Sequence, residues 1–161
     1  MQDIVMEKLH DYIRVNNPDL LLQLEEDGKT TEYLSDKVNG VDTLLKQPNN
    51  RQPDYIVFDA CMDVLTEDLK PSKYNYIYNI LEEEFEDTFL KFRESGILQF
   101  EAINIIQNCE SVFNDLNFSE ENEDNHFIRY AITGMINEYL QSNRVNENVS
   151  NELQQSTKTE R

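Results

Sequence analysis

The chain has 161 residues, of which 32 are Asp or Glu and 14 are Lys or Arg, so its formal net charge at pH 7 is −18. This charge repels the phosphates of nucleic acids and anionic lipids, and it attracts basic proteins and cations. Only four Gly and four Pro are present, too few for a protein of many short strands and turns. We therefore expect an acidic, helical protein that binds neither nucleic acid nor membrane directly.

The location of the protein follows from what the sequence lacks. No hydrophobic run approaches the roughly 20 residues of a membrane span. The segment Met1–Asp11 is amphipathic and mixed in charge, which is typical of neither a signal peptide nor a transit peptide. We expect a cytoplasmic protein, in which Cys61 and Cys109 are buried free thiols because both lie in apolar helical patterns.

The first half of the chain predicts four amphipathic helices, at about residues 3–15, 18–28, 30–45 and 53–69. Asn17 and Pro18 mark the start of the second helix as its N-cap and first residue. Residues 47–53 contain two Pro and two Asn and predict a loop. The fourth helix is expected to have an inward face and an acidic outward ridge. The inward residues are Tyr55, Phe58, Met62, Leu65 and Leu69, and the ridge is Asp59, Asp63 and Glu67.

The second half predicts three further helices, at about residues 72–89, 98–116 and 124–142. Leu81 is central to the apolar face of the first of these. Residues 143–161 are polar and are expected to form a disordered tail. No internal repeat is evident. The sequence thus predicts an all-α, multihelical single domain of seven helices at residues 1–142, followed by the tail.

The two histidines suggest a carboxylate-bridged metal site. Helical bundles with such sites use Glu-x-x-His pairs, and Glu7 precedes His10 as Glu123 precedes His126. The helix from residue 72 could add Glu82 or Glu84. However, Glu7 lies on the polar face of its helix and Glu123 in a predicted loop. The plainer interpretation is two surface histidines and no bound metal or other cofactor.

A calcium loop is a second candidate. Asp115, Asn117, Ser119 and Glu121 resemble the alternating oxygen ligands of an EF-hand. The sixth position of this pattern is Glu120 rather than Gly, and the twelfth is His126 rather than Glu. We therefore expect no dedicated calcium site.

Catalysis has little support in the sequence. Cys61 or Cys109 could pair with a histidine, but nothing nearby in the sequence activates either thiol. Phosphate-binding glycine loops, zinc-ligand spacings and nucleophile elbows are all missing. We expect a protein without enzymatic activity.

Clustered acidic residues remain as the candidate binding site. Five acids occupy six positions at residues 82–87, and the stretch from Glu94 to Ile128 contains no Lys or Arg. The plainer interpretation is a solvated helix face, and the functional one is a surface that docks a basic protein or imitates a phosphate backbone. The predicted partner-binding residues are Glu82, Glu83, Glu86 and Asp87 in one cluster, and Glu120, Glu121, Glu123 and Asp124 in the other.

Several stretches resemble an all-helical family from Bacteroidetes, the domain of unknown function numbered 1896. They are Asn16–Leu21 after the opening helix, Val64–Leu65, Pro71–Tyr74 and Ile80–Phe85. The resemblance would cover about residues 6–140. It implies an all-α fold, a bacterial cytosol and carriage on mobile elements, and it supplies no catalytic residue or cofactor.

The leading hypothesis is a non-enzymatic module that docks a basic protein partner through its acidic surface. If the link to mobile elements holds, that partner could be a DNA-processing enzyme. One alternative is the carboxylate-bridged metalloprotein. Another is a structural subunit that forms homo-oligomers through an apolar strip containing Tyr76 and Ile80.

Overall fold

The computed structural model describes residues 1–47 and 52–159, and beyond Arg144 it describes the side chain of Leu153 only. The described residues form nine α-helices, a 3-10 turn at Glu67–Leu69 and no strand, so the all-α prediction is confirmed. The helices are α1 (Gln2–Asn16), α2 (Pro18–Glu26), α3 (Thr30–Gly40), α4 (Asp42–Leu45), α5 (Asp54–Thr66), α6 (Lys73–Glu84), α7 (Glu86–Glu94), α8 (Leu98–Asp115) and α9 (His126–Thr159). Within these ranges no helix is long and apolar enough to cross a membrane.

The chain divides into two compact units, residues 1–79 and 80–161, and the single domain expected at residues 1–142 stays a prediction. The boundary falls within α6. Residues 80–161 contain 17 acids and six Lys or Arg, a formal charge of −11, whereas residues 1–79 have a charge of −7. Most of the excess negative charge therefore belongs to the second unit.

The first unit is built around α1, which packs against α2, α3 and α5. The apolar stripe of α1 is buried at Val5, Leu9 and Ile13, as its spacing predicts. The remaining buried core residues are Leu21, Leu34, Val38, Val41, Cys61, Leu65 and Leu69. Burying each Leu or Ile side chain contributes about 1.5–3 kcal/mol, so this stripe holds the unit together.

The fourth predicted helix is corrected in part. α5 ends at Thr66, and a 3-10 turn carries the chain to Leu69. Tyr55, expected inward, is exposed, whereas the acidic ridge of Asp59, Asp63 and Glu67 is exposed as predicted. Tyr55 lies in the first turn of the helix, beside Ile4 and Lys8 of α1, but these residues leave its side chain 66% exposed. Most of the predicted 47–53 loop lies outside the described residues.

The second unit is centred on α8, which packs against α9. Ala102, Ile105 and Cys109 of α8 are buried, as are Ile128 and Ile132 of α9. Further residues of both helices are buried beside them, because two adjacent rows of side chains are covered. They are Ile103, Ile106, Phe113, Ile136 and Leu140.

Three further predicted helices differ from the structure. The helix expected at 30–45 is divided at Val41 into α3 and α4. The helix expected at 72–89 is interrupted at Phe85, which separates α6 from α7. The last helix was expected to end near Ser142, but its backbone continues to Thr159. The polar residues that follow Ser142 include no Pro or Gly, so no helix-breaking residue ends α9 there. The disorder expected for residues 143–161 stays a prediction.

Two segments of the chain repeat the same backbone geometry at an offset of 68 residues. Asn17 separates α1 from α2 with φ −134° and ψ 53°, and Phe85 separates α6 from α7 with φ −133° and ψ 50°. Eleven residues after each break, a glycine with positive φ ends the second helix: Gly28 at 68° and Gly96 at 71°. Such a left-handed residue is readily supplied by glycine, which has no Cβ.

The hydrogen bonds and the burial follow the same offset. After the glycines, Lys29 N donates to Leu24 O at 2.9 Å and Ile97 N donates to Phe92 O at 3.0 Å. Six pairs of residues 68 apart are buried in both segments. They are Leu9 and Ile77, Ile13 and Leu81, Leu21 and Phe89, Leu34 and Ala102, Val38 and Ile106, and Val41 and Cys109. The chain therefore contains an internal structural repeat.

Candidate functional site

The first acidic cluster surrounds the break at Phe85. Glu82 and Glu83 belong to the last turn of α6, and Glu86 and Asp87 to the first turn of α7. All four side chains are exposed, as predicted. Acidic residues in a first turn, such as those of α7, interact favourably with the positive end of the helix dipole. Like charges this close still repel one another, so a cation near the cluster lowers its electrostatic energy.

A basic residue of α9 reaches this cluster. Arg129 Nη2 lies 2.7 Å from Glu83 Oε2 and 3.3 Å from Glu84 Oε1. One of the predicted binding residues, Glu83, is therefore already paired within the chain. Both glutamates are well exposed, so this ion pair contributes little to stability. The ion pair is informative about position, because it shows that the end of α6 lies beside the first turns of α9.

The second acidic cluster lies in the loop between α8 and α9, which is held by one asparagine. Asn122 Oδ1 accepts a hydrogen bond from Ser119 N at 2.7 Å. Its Nδ2 donates to Leu116 O at 3.3 Å and to Asn117 O at 2.9 Å. The loop therefore presents Glu120 and Glu121 from a fixed backbone, although both side chains are exposed.

Asn122→Ala is expected to lower the free energy of unfolding by about 1–3 kcal/mol, because three hydrogen bonds are lost together. Urea denaturation followed by circular dichroism measures this. Asn108→Ala is the matched control, since Asn108 is exposed and donates only to Asn104 O of its own helix. Equal effects of the two substitutions would contradict the proposed role of Asn122.

The loop ends at a capped helix. Asn125 Oδ1 accepts a hydrogen bond from Phe127 N at 2.8 Å, and Asn125 O accepts one from Arg129 N at 3.2 Å. These are the bonds of an N-cap residue. Glu123 and Asp124 precede this cap, where the helix dipole favours negative charge. Glu123 lies in the loop as predicted, whereas Asp124, the predicted first residue of the last helix, also lies before α9.

The two acidic clusters lie at the same end of α9. The second cluster immediately precedes the helix, and Arg129 lies only about 5 Å along the axis from its first residue. Because Arg129 contacts Glu83 and Glu84, the first cluster lies beside the same turns. The sequence contained one signal of this arrangement, which we did not use: Arg129 is the single basic residue between Arg93 and Arg144.

Two exposed aromatic residues adjoin the acidic clusters, and the sequence analysis missed them. Phe127 and Tyr130 are 70% and 74% exposed. They are three residues apart in the first turns of α9, so they share one side of the helix. Their signal in the sequence is that both fall outside the buried stripe of Ile128, Ile132 and Ile136. The surface formed by the two acidic clusters and this aromatic pair is called the acidic end below.

No group of three or more His, Cys, Asp or Glu side chains within the described residues is arranged to hold a metal ion. Glu7 and His10 belong to the first unit, and Glu123 and His126 to the second. His126 is exposed in the first turn of α9, and His10 is half-buried in α1. Of the residues that resemble EF-hand ligands, Asp115 is the last residue of α8, and Asn117, Ser119 and Glu121 lie in the loop that Asn122 holds through hydrogen bonds.

The two cysteines are buried free thiols, as predicted. Burial raises the pKa of the Cys61 thiol, and it raises the pKa of the Cys109 thiol to about 11. Both thiols are therefore protonated at neutral pH, and a protonated thiol is a poor nucleophile.

The apolar strip expected for the homo-oligomer alternative is corrected. Ile80 is fully buried rather than exposed, and Tyr76 is half-buried. Ile80 lies on the buried face of α6 together with Ile77 and Leu81. This face is therefore wider than a single row of side chains. Ile80 therefore does not belong to an exposed strip, and the homo-oligomer alternative itself stays a prediction.

Comparison with known proteins places the chain in a family. Residues 45–145, well over half of the chain, match the domain of unknown function DUF1896. The chain belongs to the DUF1896 family. The DUF1896 match begins at the end of α4, so α1–α3 lie outside it, whereas the predicted resemblance began near residue 6. The matched residues 45–145 include the whole acidic end. No curated protein and no solved structure matches the chain.

Proposed function

We propose that this protein is a non-enzymatic interaction module that docks a basic protein partner through the acidic end. The observation that carries the proposal is the contact of Arg129 with Glu83 and Glu84, since it brings the two acidic clusters to the same end of α9. Clustered carboxylates attract a Lys- or Arg-rich surface and steer its approach.

The aromatic pair supports the same partner chemistry. Interface residues that contribute most of the binding energy are enriched in aromatic side chains. Exposed aromatic faces also attract Lys and Arg side chains through cation–π interactions. Phe127 and Tyr130 therefore add an apolar and cation-binding component to a surface that would otherwise bind through charge alone.

The repeat gives a reason to regard the acids as functional. Residues 82–84 are Glu-Glu-Glu, whereas the positions 68 residues earlier carry Arg14, Val15 and Asn16. Both segments form the same helix and the same break. The backbone geometry therefore does not require these three acids.

The test uses two charge-reversal variants of equal net charge. The first converts Glu82, Glu86 and Asp87 to Lys. The second is the control and converts Glu25, Glu26 and Asp27, which are exposed in and just after α2 of the first unit. Wild type and both variants serve as bait in host lysate at two salt concentrations, and bound proteins are identified by mass spectrometry.

We expect one basic partner to be retained by the wild type and the control, and to bind the first variant at least tenfold more weakly. Binding should weaken as salt rises, because the screening length is only about 10 Å at 0.1 M salt. A partner that binds both variants alike would exclude the acidic end as its docking site. A DNA-processing enzyme of a mobile element is the partner class that we propose.

A further inference from the structure

A cavity of about 120 Å³ lies in the second unit among α7, the start of α8 and α9. It is lined on one side by the apolar residues Phe92, Ile97 and Leu140. The volume corresponds to about four water molecules at liquid density. The α9 residues of the cavity, Leu140, Asn143 and Arg144, lie about 20 Å or more along that helix from the acidic loop, whereas Thr88, which also lines the cavity, directly follows Asp87 of the acidic end.

Both signs of charge line this cavity. Lys91 and Arg144 contribute cations, and Glu101 contributes a carboxylate. Among the side chains that the structure describes, none forms an ion pair with Lys91 or Arg144. The cations and the carboxylate are therefore available to opposite charges on a ligand.

A hydrogen bond from Tyr139 positions the carboxylate of Glu101. Tyr139 donates its hydroxyl to Glu101 Oε2 at 2.7 Å. Burial raises the pKa of Tyr139, and the hydrogen bond to Glu101 raises it further. The phenol is therefore a hydrogen-bond donor at neutral pH, and it orients the carboxylate while one carboxylate oxygen stays available.

The structural repeat indicates that the backbone fold does not need these charged groups. The positions 68 residues before Lys91 and Glu101 are Gln23 and Tyr33. Gln23 lies in α2 and Tyr33 in α3, at the same points of the same helix–glycine–helix arrangement. An uncharged pair is therefore compatible with this backbone, and the second segment has a charged pair instead.

We propose that this cavity binds a small zwitterion, namely an α-amino acid with a short aliphatic side chain. Its carboxylate would contact Lys91 and Arg144, its ammonium would contact Glu101, and its side chain would pack on Phe92 and Leu140. The charge of −11 on the second unit disfavours a net anion such as phosphate. A zwitterion has no net charge and avoids that repulsion.

Calorimetric titration of the full chain tests the proposal with L-valine, N-acetyl-L-valine, L-valine methyl ester and inorganic phosphate. We expect valine to bind and each blocked form, which lacks one of the two charges, to bind at least tenfold more weakly. Equal binding of valine and its acetylated form, or binding of phosphate without binding of valine, would overturn the proposal. So would the absence of heat from valine, alanine and leucine alike.

Variants assign the binding to this cavity. Lys91→Gln introduces the residue type of Gln23, which occupies the equivalent position in the first segment. Glu101→Gln retains an oxygen that can accept the hydrogen bond from Tyr139. Each should weaken valine binding at least tenfold, while thermal melts confirm that the variants fold. Arg93→Gln is the control, because Arg93 is in the same turn of α7 but does not line the cavity. Undiminished binding by both cavity variants would contradict the assignment. None of these changes replaces a residue of the acidic end, so partner docking is tested separately by the charge-reversal variants.

Discussion

Replacing Phe113 with alanine is expected to lower the free energy of unfolding by about 3–5 kcal/mol, the usual cost of truncating a buried Phe. The side chain is only 1% exposed on α8, and it is among the largest fully buried side chains that the structure describes. Its ring centroid lies 4.9 Å from that of Phe118, at an angle of 57°. The substitution therefore removes a core contact and also the anchor of the acidic loop.

Urea denaturation measures the stability loss, and Phe100→Ala is the control. Phe100 lies on the same helix but is 63% exposed, so its truncation removes little buried area and leaves no cavity. Hydrogen exchange should become faster at residues 117–125 in Phe113→Ala, because the contact with Phe118 is lost. Similar stability losses for the two phenylalanines would show that Phe113 is not a core residue.

Leu81→Ala is expected to lower the free energy of unfolding by about 2–5 kcal/mol. Leu81 has no exposed surface, whereas the control residue, Leu90 of α7, is 42% exposed. The repeat extends this prediction, because Ile13 occupies the equivalent position and is also buried. Thermal and urea denaturation of Leu81→Ala, Ile13→Ala and Leu90→Ala compare the three positions directly.

We expect losses of similar size for Leu81→Ala and Ile13→Ala, and a much smaller one for Leu90→Ala. The equivalent of Leu90 in the first segment is Leu22, which is also exposed. A small effect of Leu81→Ala together with a large effect of Ile13→Ala would mean that the two segments share backbone geometry without sharing energetics.

The helices were largely predictable because their signals are local. Gly28 and Gly96 end helices in the structure as they do in the sequence pattern, and Pro18 begins one. The break at Phe85 was not predictable, because the surrounding residues include neither Pro nor Gly. The conformation of Phe85 is therefore not encoded by a local helix-breaking residue.

The internal repeat was also not recognisable from the sequence, because the two segments share few identical residues. Within residues 17–28 and 85–96 only four of the twelve paired positions are identical. The pairs are Asp19 and Asp87, Leu22 and Leu90, Glu26 and Glu94, and Gly28 and Gly96. The break itself is Asn in one copy and Phe in the other. What the segments share is apolar spacing and backbone conformation, and many unrelated helices also have such spacing.

The candidate site was predictable in its residues but not in its arrangement. The eight acidic residues were identified from charge runs alone, and seven of them are exposed, whereas Glu123 is half-buried. Their proximity depends on Arg129 reaching from α9 to Glu83 and Glu84, a contact between residues about 45 positions apart. The charged cavity was not foreseen, because its lining residues come from three helices and form no local motif.

The exposed Tyr130 has a spectroscopic consequence. The chain has eight Tyr and no Trp, so its intrinsic fluorescence comes from tyrosine alone. A partner that contains tryptophan could therefore be excited separately, and energy transfer from Tyr130 would report its arrival without any attached dye. The difference between the emission of wild type and that of Tyr130→Phe would isolate the contribution of this one ring.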